Sequence, residues 1–182
     1  MASYYYAMAQ LPAVIPGTEP VLTYKKFLSL MENSVPKGDF KLLKDLSEGT
    51  LPMDGKKTGV AFLDRWAEYD HALRSSLAKA RAEKLQWSLS RDELQRFGVD
   101  EALDVKKIAR EACAIDDPLQ AEKFLTKVRV AAVLEMRGLS AFNRDALFAY
   151  AVALLMQNRE ENFDTESGRV EYKAIYDKIL EK

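Results

Sequence analysis

The longest regular pattern of apolar residues runs from residue 60 to residue 87. On a helical wheel at 100° per residue its apolar side chains stay within about 60° of a common line. These side chains are Phe62, Trp66, Tyr69, Leu73, Leu77, Ala80 and Trp87. The pattern predicts a long helix over 60–87 whose apolar stripe faces a protein core.

Helical spacing also dominates most of the remaining chain. Thr23 is placed to cap one helix, a second short helix is expected after Pro36, and Gly138 is placed to end another. Further helices are predicted over 91–97 behind Ser90, 101–114 behind Asp100, 117–137, 140–159 and 165–181. Asp116 and Asp117, before Pro118, are interpreted as helix-start residues. Strand-like alternation is confined to residues 3–11.

These elements predict an all-α fold, a helical bundle of antiparallel helices with a short aromatic N-terminal segment. A loop near 47–59, rich in glycine and charge, interrupts the helical pattern. We expect a single helical domain over 1–182, in which this loop would set off a small N-terminal subdomain, 1–57, from a main bundle, 58–182. The apolar run 146–156 is about half the length of a membrane span, so it predicts a buried helix and no direct membrane insertion.

Composition restricts the function classes. The 182 residues include 27 basic and 28 acidic side chains, a balance that lacks the positive excess of proteins that bind DNA or RNA, so no nucleic acid partner is expected. The single cysteine, Cys113, cannot form an internal disulfide and reads as a small core residue, and the N-terminus lacks a basic leader. A cytoplasmic location is therefore expected.

The only histidine lies in a Glu68-x-x-His71 spacing that helical metal sites use. On the wheel, however, His71 lies about 180° from Phe62 and Glu68 about 120° away, so both point off the apolar stripe. The chain offers no second histidine and no nucleophile elbow, P-loop or dinucleotide fingerprint. We therefore predict a solvated Glu–His pair, no metal, no cofactor and no enzyme activity.

Several stretches resemble a known group of proteins. They are "YYYAMAQLP", "WAEYDHALRSSLAKARAEKL", "DDPLQAEKFLTKVRVAAVLE" and "AFNRDALFAYAVALLMQNREENFDTESGRVEY". Together they resemble an uncharacterised bacterial family encoded among the subunits of V-type (A-type) ATP synthases. Its members look like a shortened relative of the C subunit (d in eukaryotes), the helical adaptor between central stalk and membrane ring. The matching residues, such as Trp66, Leu73, Phe142 and Tyr150, are mainly packing positions.

The resemblance implies a non-catalytic subunit or assembly factor whose partners are the central-stalk and membrane-ring subunits, peripheral to the inner membrane through the complex. The chain is too short for a full C-subunit funnel, so it would form a smaller socket, share the task with another chain, or serve in assembly. The alternatives are a generic cytoplasmic helical scaffold and, less favoured, a metal-dependent helical-bundle enzyme.

The candidate interface consists of charged residues off the apolar stripes, which ordinary solvated helix faces would also explain. They are Arg65, Glu68, His71, Arg74, Glu122 and Arg129.

Overall fold

The structure is a computed structural model that describes residues 4–49, 57–88, 103–161 and 165–180. Within these ranges the regular secondary structure is entirely helical, which confirms the predicted all-α fold. The helices are α1 (Tyr5–Ala9), α2 (Tyr24–Met31), α3 (Lys37–Ser47), α4 (Ala61–Lys84), α5 (Leu103–Ala114), α6 (Pro118–Met136), α7 (Arg144–Glu161) and α8 (Thr165–Leu180). The predicted helix over 91–97 and most of the predicted loop, 50–56, lie outside the described residues.

Helices α4 and α7 organise the bundle. Helix α4 packs along α5, helix α7 packs along α6, and α4 and α7 also contact each other. Helices α2 and α3 pack against α7, so residues from the N-terminal part share one core cluster with the main bundle. A second cluster joins α4, α5 and α6, with Leu73 and Leu125 fully buried within it and Cys113 at its edge.

Helix α4 carries the apolar stripe that its sequence predicts, because Phe62, Trp66, Leu73 and Leu77 are all buried. The helix ends at Lys84 and not at 87, and the prediction that Trp87 continues the stripe is wrong, since its side chain is 72% exposed. The reason is Gln86, whose φ of 55° is left-handed. A left-handed residue ends the helical repeat and turns the following residue away from the stripe.

Helix α7 is the most buried helix in the part of the chain that the structure describes. Every residue of the run 146–154 is buried, which confirms that this apolar run forms a core helix. Asn143 starts it, with Oδ1 accepting a hydrogen bond of 2.7 Å from the amide of Ala146. Among the described helices, none combines the length and the hydropathy that a membrane span requires.

The sequence signals for helix ends are confirmed at three points. Thr23 caps α2 by accepting a hydrogen bond from the amide of Lys26, and Asp117 caps α6 by accepting one of 2.9 Å from Leu119. Gly138 follows the last turn of α6 with a φ of 79°, a left-handed conformation that favours glycine.

The N-terminal segment is helical and not extended, so the strand-like alternation over 3–11 does not produce a strand. Helix α1 forms at 5–9, and Tyr4 just before it donates a 2.6 Å hydrogen bond to the buried carboxylate of Asp39. Arg144 donates two more hydrogen bonds to the same carboxylate, which ties this segment to the start of α7. Phe142, expected at a packing position, is 47% exposed, although its ring lies 4.7 Å from that of Tyr5.

Candidate functional site

A cleft with a volume of about 550 Å³ opens between α4, α6 and α7. Its lining combines the edges of core side chains with a concentration of charged groups. The charged lining residues are Asp70, Arg74, Arg81, Glu122, Arg129 and Arg159. We refer to this feature as the cationic cleft, because four arginines face two carboxylates and leave two positive charges in a chain whose net charge is −1.

Asp70 lies at the centre of the cleft and is buried, with 10% of its side chain exposed. Arg74, one helical turn later on α4, donates hydrogen bonds to its Oδ2 from Nε and from the terminal nitrogen Nη2. On the other side, the Nε of Arg129 lies 3.3 Å from Asp70 Oδ1. This Nε–H makes no hydrogen bond in the described part of the chain, so the contact is an ion pair.

The ion pairs continue from Arg129 across to helix α7. A terminal nitrogen of Arg129 lies 3.9 Å from a carboxylate oxygen of Glu122, and a terminal nitrogen of Arg159 lies 3.6 Å from the same oxygen. Three helices are therefore connected by one chain of alternating charges. Since guanidinium groups have five N–H donors each, these pairs leave donors available for further acceptors.

The carboxylates lie deeper than most of the guanidinium groups. The side chains of Arg74 and Arg159 are 64% and 71% exposed, whereas those of Asp70 and Glu122 are 10% and 29% exposed. Arg81 is also exposed, and it makes no ion pair within the ranges that the structure covers. A molecule that approaches from solvent therefore meets positive charge first.

Helix geometry sets the spacing of this charge. Arg74, Ala78 and Arg81 all line the cleft, which agrees with their spacing of four and three residues along one face of α4. At 1.5 Å per residue the two arginines are about 10 Å apart along the helix axis. Between these two arginines the cleft is lined by Ala78, whose side chain is small. Arg74 and Arg81 therefore contribute two positive charges to the same side of the cleft.

The six predicted interface residues do not form a single surface. The structure brings together Arg74, Glu122 and Arg129 in the cationic cleft. Arg129 is only 15% exposed, so it belongs to the interior of the cleft more than to a solvated helix face.

The other three predicted residues lie outside the cleft. The side chain of Arg65, on α4, reaches the end of α6 and the start of α7. There it donates a hydrogen bond to the carbonyl of Met136 and forms an ion pair with Asp145 at 3.5 Å. Glu68 and His71 are exposed, and neither has a hydrogen bond or ion pair within the described residues.

The sequence analysis did not include three cleft residues in the candidate interface, Asp70, Arg81 and Arg159. One signal for Asp70 was available, because an Asp–Arg pair four residues apart, at 70 and 74, is a familiar helix-stabilising arrangement. Arg159 could not be connected to Glu122 from sequence, since their proximity depends on how α7 packs against α6.

The chemistry available in the cleft is binding of anions. Its described lining holds guanidinium groups, two carboxylates already in ion pairs, and one hydroxyl, that of Thr126. In the described ranges no cluster of three or more histidine, cysteine, aspartate or glutamate side chains is arranged to hold a metal ion. Near the cleft, burial raises the pKa of Tyr69, an effect that the positive charge of Arg129 opposes.

The fold and the site together define an all-helical protein with a cationic cleft. Comparisons of the chain with protein-family models, with curated proteins and with solved structures each gave no match.

Proposed function

We propose that this protein is a non-catalytic subunit or assembly factor of a V-type ATP synthase, a helical adaptor between the central stalk and the membrane ring. The sequence resemblance described above suggests the complex. The structural observation that supports the proposal is the cationic cleft, because its exposed arginines suit a negatively charged partner surface. In this role the protein is cytoplasmic and peripheral to the inner membrane through its partners.

The cleft suits an acidic segment of a partner protein. Arg74 and Arg81 lie seven residues apart on one face of α4, a spacing that suits two carboxylates placed seven residues apart on one face of a partner helix. Arg–carboxylate pairs are geometrically specific because the guanidinium group can donate two parallel hydrogen bonds. Arg74, Arg81 and Arg159 would supply these donors. Asp70 positions the guanidinium group of Arg74, and Glu122 pairs with that of Arg159.

The packing of the bundle supports a mechanical role. An adaptor in a rotor transmits torque, which requires closely packed elements that do not deform under load. The long helices α4 and α7 pack against each other and against α6, and the fully buried side chains of Phe62, Leu147 and Phe148 lie in their shared core. The cationic cleft lies across the same three helices, so a force applied there reaches the core directly.

Charge reversal tests the docking surface. When the chain is expressed with the other subunits of its complex, the double variant Arg74→Glu/Arg81→Glu should lose co-purification with stalk and ring subunits. Arg110→Glu is the control for charge reversal at a single site, since Arg110 is exposed on α5 and does not line the cleft. Association of the wild-type chain should weaken with salt, because charges at an interface are screened over about 8–10 Å at physiological ionic strength.

The outcomes of this experiment separate the docking surface from the adaptor function itself. Loss of association in the double variant but not in Arg110→Glu supports docking through the cleft. If the double variant co-purifies as well as the wild type, the cleft is not the docking surface. If the wild-type chain does not co-purify with ATP synthase subunits at all, the adaptor function is wrong and a helical scaffold in another complex becomes the better explanation.

Gene deletion tests the function in the cell. The isolated protein should have no ATPase activity. Without it, the catalytic subunits should still fold but should be uncoupled from the membrane, which is measured as ATP hydrolysis without ion pumping. A deletion strain that pumps ions normally with a complete complex would contradict the proposal.

A further inference from the structure

A second, smaller pocket lies under the N-terminal segment, away from the cationic cleft. It has a volume of about 280 Å³, is open to solvent on one side, and is lined by Met8, residues 11–14, the end of α6, the connection to α7 and Tyr150 of α7 itself. Its walls are mainly apolar. The apolar and small lining residues are Met8, Leu11, Pro12, Ala13, Val14, Leu134, Ala141 and Phe142.

Two polar groups, Arg137 and Tyr150, line the same pocket. Nε of Arg137 and the hydroxyl oxygen of Tyr150 are both buried, and neither makes a hydrogen bond in the part of the chain that is described. Buried polar groups are nearly always hydrogen-bonded, because an unpaired donor in an apolar environment is unfavourable. Two such donors in one pocket make it suited to a ligand that supplies acceptor oxygens.

The charge of the pocket is also uncompensated. Arg137 is half-buried, it makes no ion pair with any described residue, and none of the described lining residues is acidic. The hydroxyl of Tyr150, which lines the same pocket, is protonated at neutral pH and can donate, since burial raises its pKa to about 12. The pocket thus offers one positive charge and two hydrogen-bond donors within apolar walls.

We propose that this pocket binds a small monocarboxylate with a compact apolar body, its carboxylate held by Arg137 and Tyr150. A carboxylate has one negative charge and two acceptor oxygens, which match the single guanidinium group and the hydroxyl. A phosphate dianion would leave one charge unpaired among apolar side chains. The apolar walls favour a hydrocarbon body, and a volume of about 280 Å³ limits it to a small one. This site is independent of the proposed adaptor function.

Benzoate and benzamide form a matched pair of probes, because they share size and shape and differ in charge. Isothermal titration calorimetry of the full chain should give saturable one-to-one binding of benzoate. Benzoate should bind about ten- to a hundredfold more tightly than benzamide, the range expected for a hydrogen bond to a charged group. Acetate should bind more weakly than benzoate, because it lacks the apolar body.

Two variants locate the site. Arg137→Met keeps an unbranched side chain of similar length, and it should reduce benzoate affinity at least about tenfold while leaving benzamide binding unchanged. Tyr150→Phe keeps the ring and should reduce benzoate affinity about ten- to a hundredfold, as expected for a hydrogen bond to a charged group. Arg110→Met and Tyr6→Phe change exposed groups outside the pocket and should have no effect. Far-ultraviolet circular dichroism confirms that each variant is folded.

A spectroscopic measurement keeps the test independent of stability. In the folded wild-type protein, the ¹⁵N–¹H signal of the Arg137 Nε should shift when benzoate is added, and this signal is assigned by its absence in Arg137→Met. The proposal is overturned by any of three results: no saturable benzoate binding, equal affinity for benzamide, or unchanged affinity in folded Arg137→Met. Binding with an unshifted Nε signal would place benzoate elsewhere and would also overturn it.

Discussion

Replacing Arg129 by Met removes the central cation of the charge network in the cationic cleft. Asp70 then keeps only its hydrogen bonds to Arg74, and Glu122 keeps only its pair with Arg159 at 3.6 Å. Removing one partner of a fully buried ion pair costs about 3–5 kcal/mol. Because the cleft is open to solvent and both carboxylates keep one partner, we expect a smaller loss, about 2 kcal/mol.

Urea unfolding at pH 7 measures this loss. With a slope of about 2 kcal/mol per molar urea, the midpoint of Arg129→Met should fall by about 1 M. Asp70→Leu should be similarly destabilising, because it leaves the Arg129 guanidinium with only Glu122, at 3.9 Å. The double variant Asp70→Leu/Arg129→Met should lose less than the sum of the single variants, by about 1–2 kcal/mol, because it leaves neither member of the pair unpartnered.

Arg65→Met is the matched control. Arg65 also pairs with an aspartate across helices, Asp145 at 3.5 Å, but its side chain is 50% exposed where that of Arg129 is 15% exposed. This control should lose less than about 1 kcal/mol, as exposed ion pairs do. If Arg129→Met is no more destabilising than Arg65→Met, or if the Asp70 and Arg129 losses are additive, the network does not stabilise the cleft and our account of it is wrong.

Three further predictions concern the core, the metal question and pH. Trp66→Ala should lower the free energy of unfolding by about 3–5 kcal/mol, because it removes a buried aromatic side chain; denaturant melts that match wild type would contradict this packing. His71→Ala should change stability by less than about 0.5 kcal/mol, and elemental analysis of the protein should find no stoichiometric iron, zinc or manganese. Burial raises the pKa of Tyr4 and Tyr150 from 10.0 to about 12, so these phenols ionise at lower pH in the unfolded chain than in the folded protein. The free energy of unfolding should therefore fall as the pH rises from 10 to 12. Tyr150→Phe should make this fall less steep, and an unchanged slope would refute the raised pKa of Tyr150.

The fold was predictable from sequence for helices in which the apolar face alone determines which side chains are buried. The spacing of Phe62, Trp66 and Leu73 identified the core face of α4, and the apolar run 146–156 predicted a buried helix, which the burial of 146–154 confirms. Both patterns persist over several turns. The end of α4 was mispredicted because the apolar spacing reaches Trp87, whereas the chain turns at Gln86 through a left-handed conformation that periodicity does not report.

The site was less predictable because it depends on several helices. Arg129 lies off the apolar stripe of α6, so a single helical wheel places it in solvent. Helix α6 packs against α5 and α7 and also contacts α4, and these neighbours cover more of its surface than one stripe suggests. The pairing of Arg129 with Asp70, and of Glu122 with Arg159, follows only from the positions of the three helices.

The hydrogen bonds between the N-terminal segment and the end of α7 can form only after α7 has been synthesised. The side chain of Asn158 accepts from the amide of Tyr24 and donates to the carbonyl of Leu22, across 134 and 136 residues. Gln157 donates to the carbonyls of Ile15 and Thr18. At about 5–20 residues per second, a ribosome needs about 7–27 s to add those 134 residues after Tyr24. During this interval the apolar side chains of α2 have no native partner on α7, so the nascent chain exposes a hydrophobic segment that a chaperone can bind before the bundle closes.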